Sequence, residues 1–210
     1  MQTIIGIGGF PNGAMCEYVL SRARGRRVLV DQTASPQHDG PIELPGELTP
    51  FSFYPWPPEN LRELALGHDA ILVCGGNTAN MLAVWRVHGF DRILREAWEA
   101  GVVLAGWSAG MICWFEAGVT DSFGPQLEGM RDGLGFLPGS ACPHYDGEDR
   151  RRPVYTELVR NGFPPGIALD DAAAALYVDG ELREVVVSEP DARGYRVGPD
   201  GEAELPVRVL

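Results

Sequence analysis

Residues 102–115 read VVLAGWSAGMICWF. An apolar run enters a turn, Gly106-Trp107-Ser108-Ala109-Gly110, and a second apolar run leaves it. This is the pattern of a buried strand feeding a helix. A G-x-S-x-G turn at such a junction holds the serine side chain on a tight corner above the sheet. Gly106 and Gly110 let neighbouring backbone come close. The N–H of Ala109, opening the helix, can face a developing oxyanion, helped by the partial positive charge of a helix N-terminus. The same small residues also suit simple packing of a strand against a helix, so the turn alone leaves Ser108 either a nucleophile or a spacer.

Strands and helices alternate outward from this turn. QTIIGIGG and RRVLVDQTAS read as buried strands separated by a helix in AMCEYVLSRARG. DAILVCGGNT is a further strand that runs into a Gly-Gly turn, and ANMLAVWRVHGFDRILREAWEAG holds one or two helices. MICWFEAG is expected to begin another helix. Residues 35–58 are rich in Pro and Gly and read as a long, substrate-facing loop with short strands. The alternation predicts an α/β chain with a mainly parallel central sheet covered on both faces. Past about residue 165, short runs broken by DG, DARG and PDG predict hairpins or edge strands on the same sheet. Residues 1–210 carry no internal repeat or long linker and read as a single domain.

Composition excludes several classes of function. A formal net charge of −12 argues against nucleic acid and against anionic membrane surfaces, both of which call for clustered Lys and Arg. The sequence shows no secretory signal and no apolar run of about 20 residues, so a cytoplasmic protein without membrane association is expected. Cys16, Cys74, Cys113 and Cys142 lack paired spacing and read as reduced and buried. They form no ligand cluster with His38, His68, His88 and His144, so neither a metal nor another cofactor is expected.

A serine nucleophile needs a base, and the base needs an acceptor that orients it. His144, in SACPHYDGEDRRRP, follows an apolar strand-like segment and is the most suggestive base; His68 and His88 read as helix-end residues. Asp170 and Asp171 end the apolar run of GIALDD, while Asp121, Asp146, Glu148 and Asp149 are alternative acceptors. VCGGNT, at the end of another strand, offers backbone N–H groups where ligands of open α/β sheets bind, with Asn77 or Thr78 able to cap the next helix. GIGGF lacks the spacing of a dinucleotide fingerprint. Cys142 lies two residues before His144 on an extended segment, hence on the opposite face, and reads as core.

Four segments together, GGNTANML, GWSAGMICW, GLGFLPGSACPHYD and GIALDDAAAALYVDG, resemble the S51 serine peptidases, the group of dipeptidase E and cyanophycinase. The resemblance runs over about residues 3–185. It implies a flavodoxin-like three-layer sandwich, similar to the class I glutamine amidotransferase domain, and a homodimer. It implies that Ser108 is the nucleophile and His144 the general base. Gly76 and Ala109 stand at its oxyanion-hole positions, and Asp171 where the group carries a Glu, with Asp170 and Asp121 as alternatives. It further implies a small peptide substrate bound with the help of Arg151 and Asn77. The chain is short at its C-terminus beside dipeptidase E, which puts Asp-X specificity in question. Cyanophycinase-like or other amide and isopeptide hydrolysis, or a binding role without turnover, are the alternatives.

Overall fold

The computed structural model describes residues 1–35 and 44–210, and His38 and part of the 35–58 loop lie outside them. Five strands pair in parallel within an eight-stranded sheet, four of them buried runs and the third largely exposed: β1 (Thr3–Ile7), β2 (Arg27–Asp31), β3 (Glu47–Phe51), β4 (Ala70–Val73) and β5 (Val103–Trp107). β3 falls within the segment read as a loop and pairs at the sheet edge, where Pro50 costs no central ladder bond.

Helices cover both faces. On one, α1 (Gly13–Leu20), capped by Asn12, packs Met15, Tyr18 and Val19 against Ile5, Ile7 and Val30. On the other lie α2 (Leu61–Leu66), α3 (Thr78–His88), α4 (Phe90–Glu99) and the single turn α5 (Ala109–Ile112). α4 shows why the sequence reads as helix there. Phe90, Leu94, Ala97 and Trp98 recur on one face and are buried, while Arg92, Arg95 and Glu99 face out. Gly89 joins α3 to α4 with φ 70°, a conformation that favours glycine.

The helix expected in MICWFEAG stops after one turn. The chain straightens into β6 (Phe115–Thr120), which opens a second sheet of six strands. Its other members are β7 (Glu128–Met130), β8 (Leu137–Cys142), β9 (Gly166–Leu169), β12 (Gly194–Gly198) and β13 (Gly201–Glu204). The cause is tertiary. The N–H groups of Leu134 and Phe136 donate to the carbonyls of Cys113 and Trp114 at 2.9 Å, and Trp114 and Phe115 are buried, which together hold the backbone out of a helix. The C-terminal strands also divide. β10 (Ala173–Val178), β11 (Glu181–Val187) and β14 (Val207–Val209) extend the first sheet beyond β1, while β12 and β13 join the second.

The two sheets share one core. Ile4, Leu104 and Ala175 of the first cluster with Ala141, Ile167 and Leu169 of the second. A smaller cluster beneath α6 (Arg151–Arg160) seals the outer face of the second sheet through Tyr155, Val159 and Phe163. The chain is therefore mixed α/β, and the ends of β5, β8 and β9 meet at the seam between the sheets.

Candidate active site

The carboxyl ends of the parallel strands build the site. β5 is wholly buried, with Gly106 opposite Gly6 of β1 and Val73 of β4. A Cβ on Gly106 would strike the backbone of Gly110, and one on Gly110 would strike the carbonyl of Val73. These glycines let α5 sit directly on the sheet, and the chain must turn sharply to reach it. Ser108 makes that turn with φ 55° and ψ −115°, a rare conformation for a residue with a side chain. Its own N–H donates to the Ile7 carbonyl at 3.2 Å, which ties the turn to β1. Among the described residues its hydroxyl has no hydrogen-bond partner, and it faces a cavity of about 290 Å³.

Gly76 follows β4 with φ 137°, and a Cβ there would overlap the Ala34 carbonyl. Gly76 lines the same cavity, while Ala109 is buried as the first residue of α5. Neither N–H has an acceptor among the described residues, as expected at a helix start for Ala109.

His144 reaches this cavity from the second sheet. It follows β8 with φ 53°, and its Nδ1 lies 2.5 Å from Oδ1 of Asp171 in the β9–β10 crossover. Of the acids the sequence offered, this one meets the imidazole. Asp170 is turned the other way; its Oδ2 accepts from the Arg193 N–H at 2.7 Å. Burial raises the Asp170 carboxyl to about 6, against the opposing pull of that hydrogen bond. Asp146 accepts from the Asp171 N–H at 2.9 Å and so fixes the loop rather than the ring.

Sequence reasoning missed how Asp171 is held. Its carboxylate passes between Gly9 and Gly147, where a Cβ on either would collide with it. The Gly9 N–H also donates to the Asp171 carbonyl, and that of Gly8 to the Ala173 carbonyl, both at 2.9 Å. The glycines of GIGGF thus let the acidic turn cross the end of β1. Only the missing Cβ atoms signalled this, and they signal a close approach without naming what approaches.

Arg151 and Asn77 line a second cavity of about 350 Å³, on the other side of Ser108, with Gly76, Asp121 and Glu148. Asn77 caps α3, accepting from the Asn80 N–H at 2.9 Å, and its amide donates to the Ser122 carbonyl at 3.0 Å. Arg151 is buried rather than part of a solvated turn. It donates to Glu148 at 2.7 Å and to the Val119 carbonyl at 2.9 Å. Burial pushes the Glu148 carboxyl upward, but hydrogen bonding and charge from Arg151 outweigh it and leave the group below its ordinary range.

The remaining candidates lie elsewhere. His68 contacts the Leu64 carbonyl just past α2, and His88 stacks on Phe53 at the end of α3. All four cysteines are buried thiols, and burial raises Cys16 and Cys142 to about 12. Among the described residues no group of three or more His, Cys, Asp or Glu side chains is placed to hold a metal ion. No helix there is long and apolar enough to cross a membrane.

The model of peptidase family S51 matches residues 48–185, which span β3, β4, β5 and the segments carrying Ser108, His144 and Asp171. The chain belongs to peptidase family S51. It is 41% identical to an uncharacterized peptidase, YgaJ, of Bacillus subtilis (strain 168), with both chains fully covered. It is 28% identical to a Peptidase E of Shewanella denitrificans over 77% of this chain and 71% of that one. The fold is shared with a solved Peptidase E protein of Listeria monocytogenes EGD-e, at a TM-score of 0.66, 17% identity and coverage of 87% of this chain and 97% of that one. It is also shared with a solved peptidase from an acI-B1 Actinobacterium, at a TM-score of 0.70, 17% identity and coverage of 99% and 95%. This S51 chain is accordingly a serine peptidase by family, and the candidate site lies at the seam of two sheets.

Proposed function

We propose that this S51 peptidase cleaves small peptides with a Ser108-His144-Asp171 triad. The observation that carries the reading is the 2.5 Å contact between His144 and Asp171, with His144 and Ser108 on one cavity. Asp171 accepts the Nδ1 proton and holds the ring in the tautomer whose Nε2 is free to act as a base. Ser108 attacks the scissile carbonyl carbon as His144 takes its hydroxyl proton. The carbonyl oxygen becomes an oxyanion, received by the N–H groups of Gly76 and Ala109. As the tetrahedral species collapses, the C–N bond breaks and His144 returns the proton to the leaving amine. Water, activated by the same imidazole, then releases the acyl group from Ser108.

The Asp in place of the group's Glu is one methylene shorter, and close passage through Gly9 and Gly147 brings its carboxylate to the ring. The strand order β3-β2-β4-β5-β1 supports the flavodoxin-like reading. Counted from β2, the order has the 2-1-3-4-5 pattern of doubly wound sheets, with the first strand of the chain taking the fifth place.

The test is amine release from a dipeptide panel, comparing the native chain with Ser108→Ala. Turnover by the native chain and its loss in the variant, with an unchanged melting temperature, is the expected result. Full rate in Ser108→Ala would overturn the reading. Release confined to β-Asp-Arg links would shift it to isopeptide hydrolysis.

A further inference from the structure

The cleft has two unlike halves, divided by Ser108. The first is walled by Phe10, Cys74 and Trp107, with the Phe10 and Trp107 rings edge to face at 5.2 Å. The second holds Asp121, Glu148 and Arg151 beside the same serine.

The charges of the second half do not cancel. Arg151 is the cation of this cavity, yet its side chain is only 4% exposed and is matched by Glu148. Its remaining bonding goes to the Val119 carbonyl. The neighbouring Arg150 is turned to the Pro125 carbonyl at 3.3 Å, and Arg152 pairs with Glu202. His144 is taken by Asp171. Asp121 is left: among the described residues its carboxylate has no hydrogen-bond or ion-pair partner, and it faces the cavity. A substrate carboxylate entering here would meet an uncompensated like charge and an arginine already neutralised. A cation would meet a solvent-exposed carboxylate that no cation of the described residues already pairs.

Resting on the serine peptidase reading, we propose that this half of the cleft takes a cationic group of the substrate, with Asp121 as its counter-ion and specificity-determining residue. The cation is an ammonium or guanidinium. It is supplied by the free N-terminus of the peptide or by a Lys or Arg side chain.

The experiment measures binding, so it does not depend on turnover. Four probes are titrated calorimetrically against the Ser108→Ala protein. N-acetylnorleucinamide is uncharged, norleucinamide carries an α-ammonium, N-acetyllysinamide a side-chain ammonium and N-acetylaspartamide a carboxylate. A cationic probe is expected to bind about tenfold more tightly than the uncharged one, with the aspartate probe weakest. Whichever cationic probe leads identifies the source of the charge. Adding Asp121→Asn should bring the leading probe to the level of the uncharged one without lowering the melting temperature. Equal binding of charged and uncharged probes, undetectable binding included, would overturn the proposal. So would preference for the aspartate probe, or a ranking unmoved by Asp121→Asn. A chain without Ser108-dependent hydrolysis would refute the peptidase reading and leave this ranking to be judged separately.

Discussion

Asp171 shows how much a single residue's role depends on atoms that are absent. Its carboxylate is half exposed, at 51%, and could sample many positions. Gly9 and Gly147 on either side and the Asp146 bond to its N–H restrict it to the one beside His144. Asp171→Asn should therefore fold normally but lower kcat on the order of 10²- to 10⁴-fold, because an amide presents an N–H where the ring needs an acceptor. Steady-state kinetics beside a thermal melt check this. Gly147→Ala removes no functional group, yet its methyl would occupy the space of the carboxylate. It should lower kcat at least about tenfold. Unchanged kcat in Gly147→Ala would show that the glycine is not a positioning residue.

The junction of β5 and α5 is the element that carries the proposed nucleophile, Ser108. Four residues of helix cannot hold themselves together, since a first turn fixes several dihedrals for one hydrogen bond. The turn persists because Met111 and Ile112 are buried and because Gly6, Gly106 and Gly110 let the helix lie against the strands. Gly110→Ala forces a methyl into the Val73 carbonyl and should destabilise the chain by about 1–3 kcal/mol. A shift in the urea midpoint at constant slope would measure this. Ser108 stands on this turn with its φ of 55°, so the same substitution should reduce activity in the fraction that remains folded.

The pH response belongs to the whole molecule because its origin lies deep in the first sheet. Asp31, at the end of β2, is fully buried and accepts from the Thr33 N–H at 2.8 Å and the Trp85 indole N–H at 2.9 Å. Burial raises its carboxyl from 3.8 to about 6, and these hydrogen bonds only partly oppose the rise. The folded state then binds this proton more tightly than the unfolded state. The contribution of Asp31 to stability is complete below about pH 4 and is lost as pH rises through about 6. At neutral pH the loss amounts to about 2–3 kcal/mol. Other carboxylates, Asp69 and Glu184 among them, are lowered by arginine partners and act in the opposite sense, so the difference between variants is the informative quantity. The stability of the native chain relative to Asp31→Asn should fall between pH 4 and 7 by about that amount. Chemical denaturation at several pH values gives this directly. A flat difference would mean that Asp31 does not titrate in that window.

The sequence by itself determined the local elements and the identity of the chemical groups. Short apolar runs marked β1, β2, β4 and β5, which are buried on both faces, and a helical repeat of apolar residues marked the face of α4. The glycines beside Ser108 marked a tight turn because only residues without a Cβ allow backbone to approach so closely. The second sheet, the early end of α5 and the division of the C-terminal strands were not legible there. Each was decided by pairing between segments far apart in the chain, and a strand's partner leaves no trace in its own period. The choice of Asp171 over Asp170 had the same origin. The two are adjacent and chemically alike, and only the crossing of the 170–172 turn over Gly8 and Gly9 sends one to His144 and the other to the Arg193 backbone. The neutralised Arg151 and the unmatched Asp121 likewise arose only when folding set Glu148 against the guanidinium, because a charge in a sequence has no partner until the chain brings one within reach.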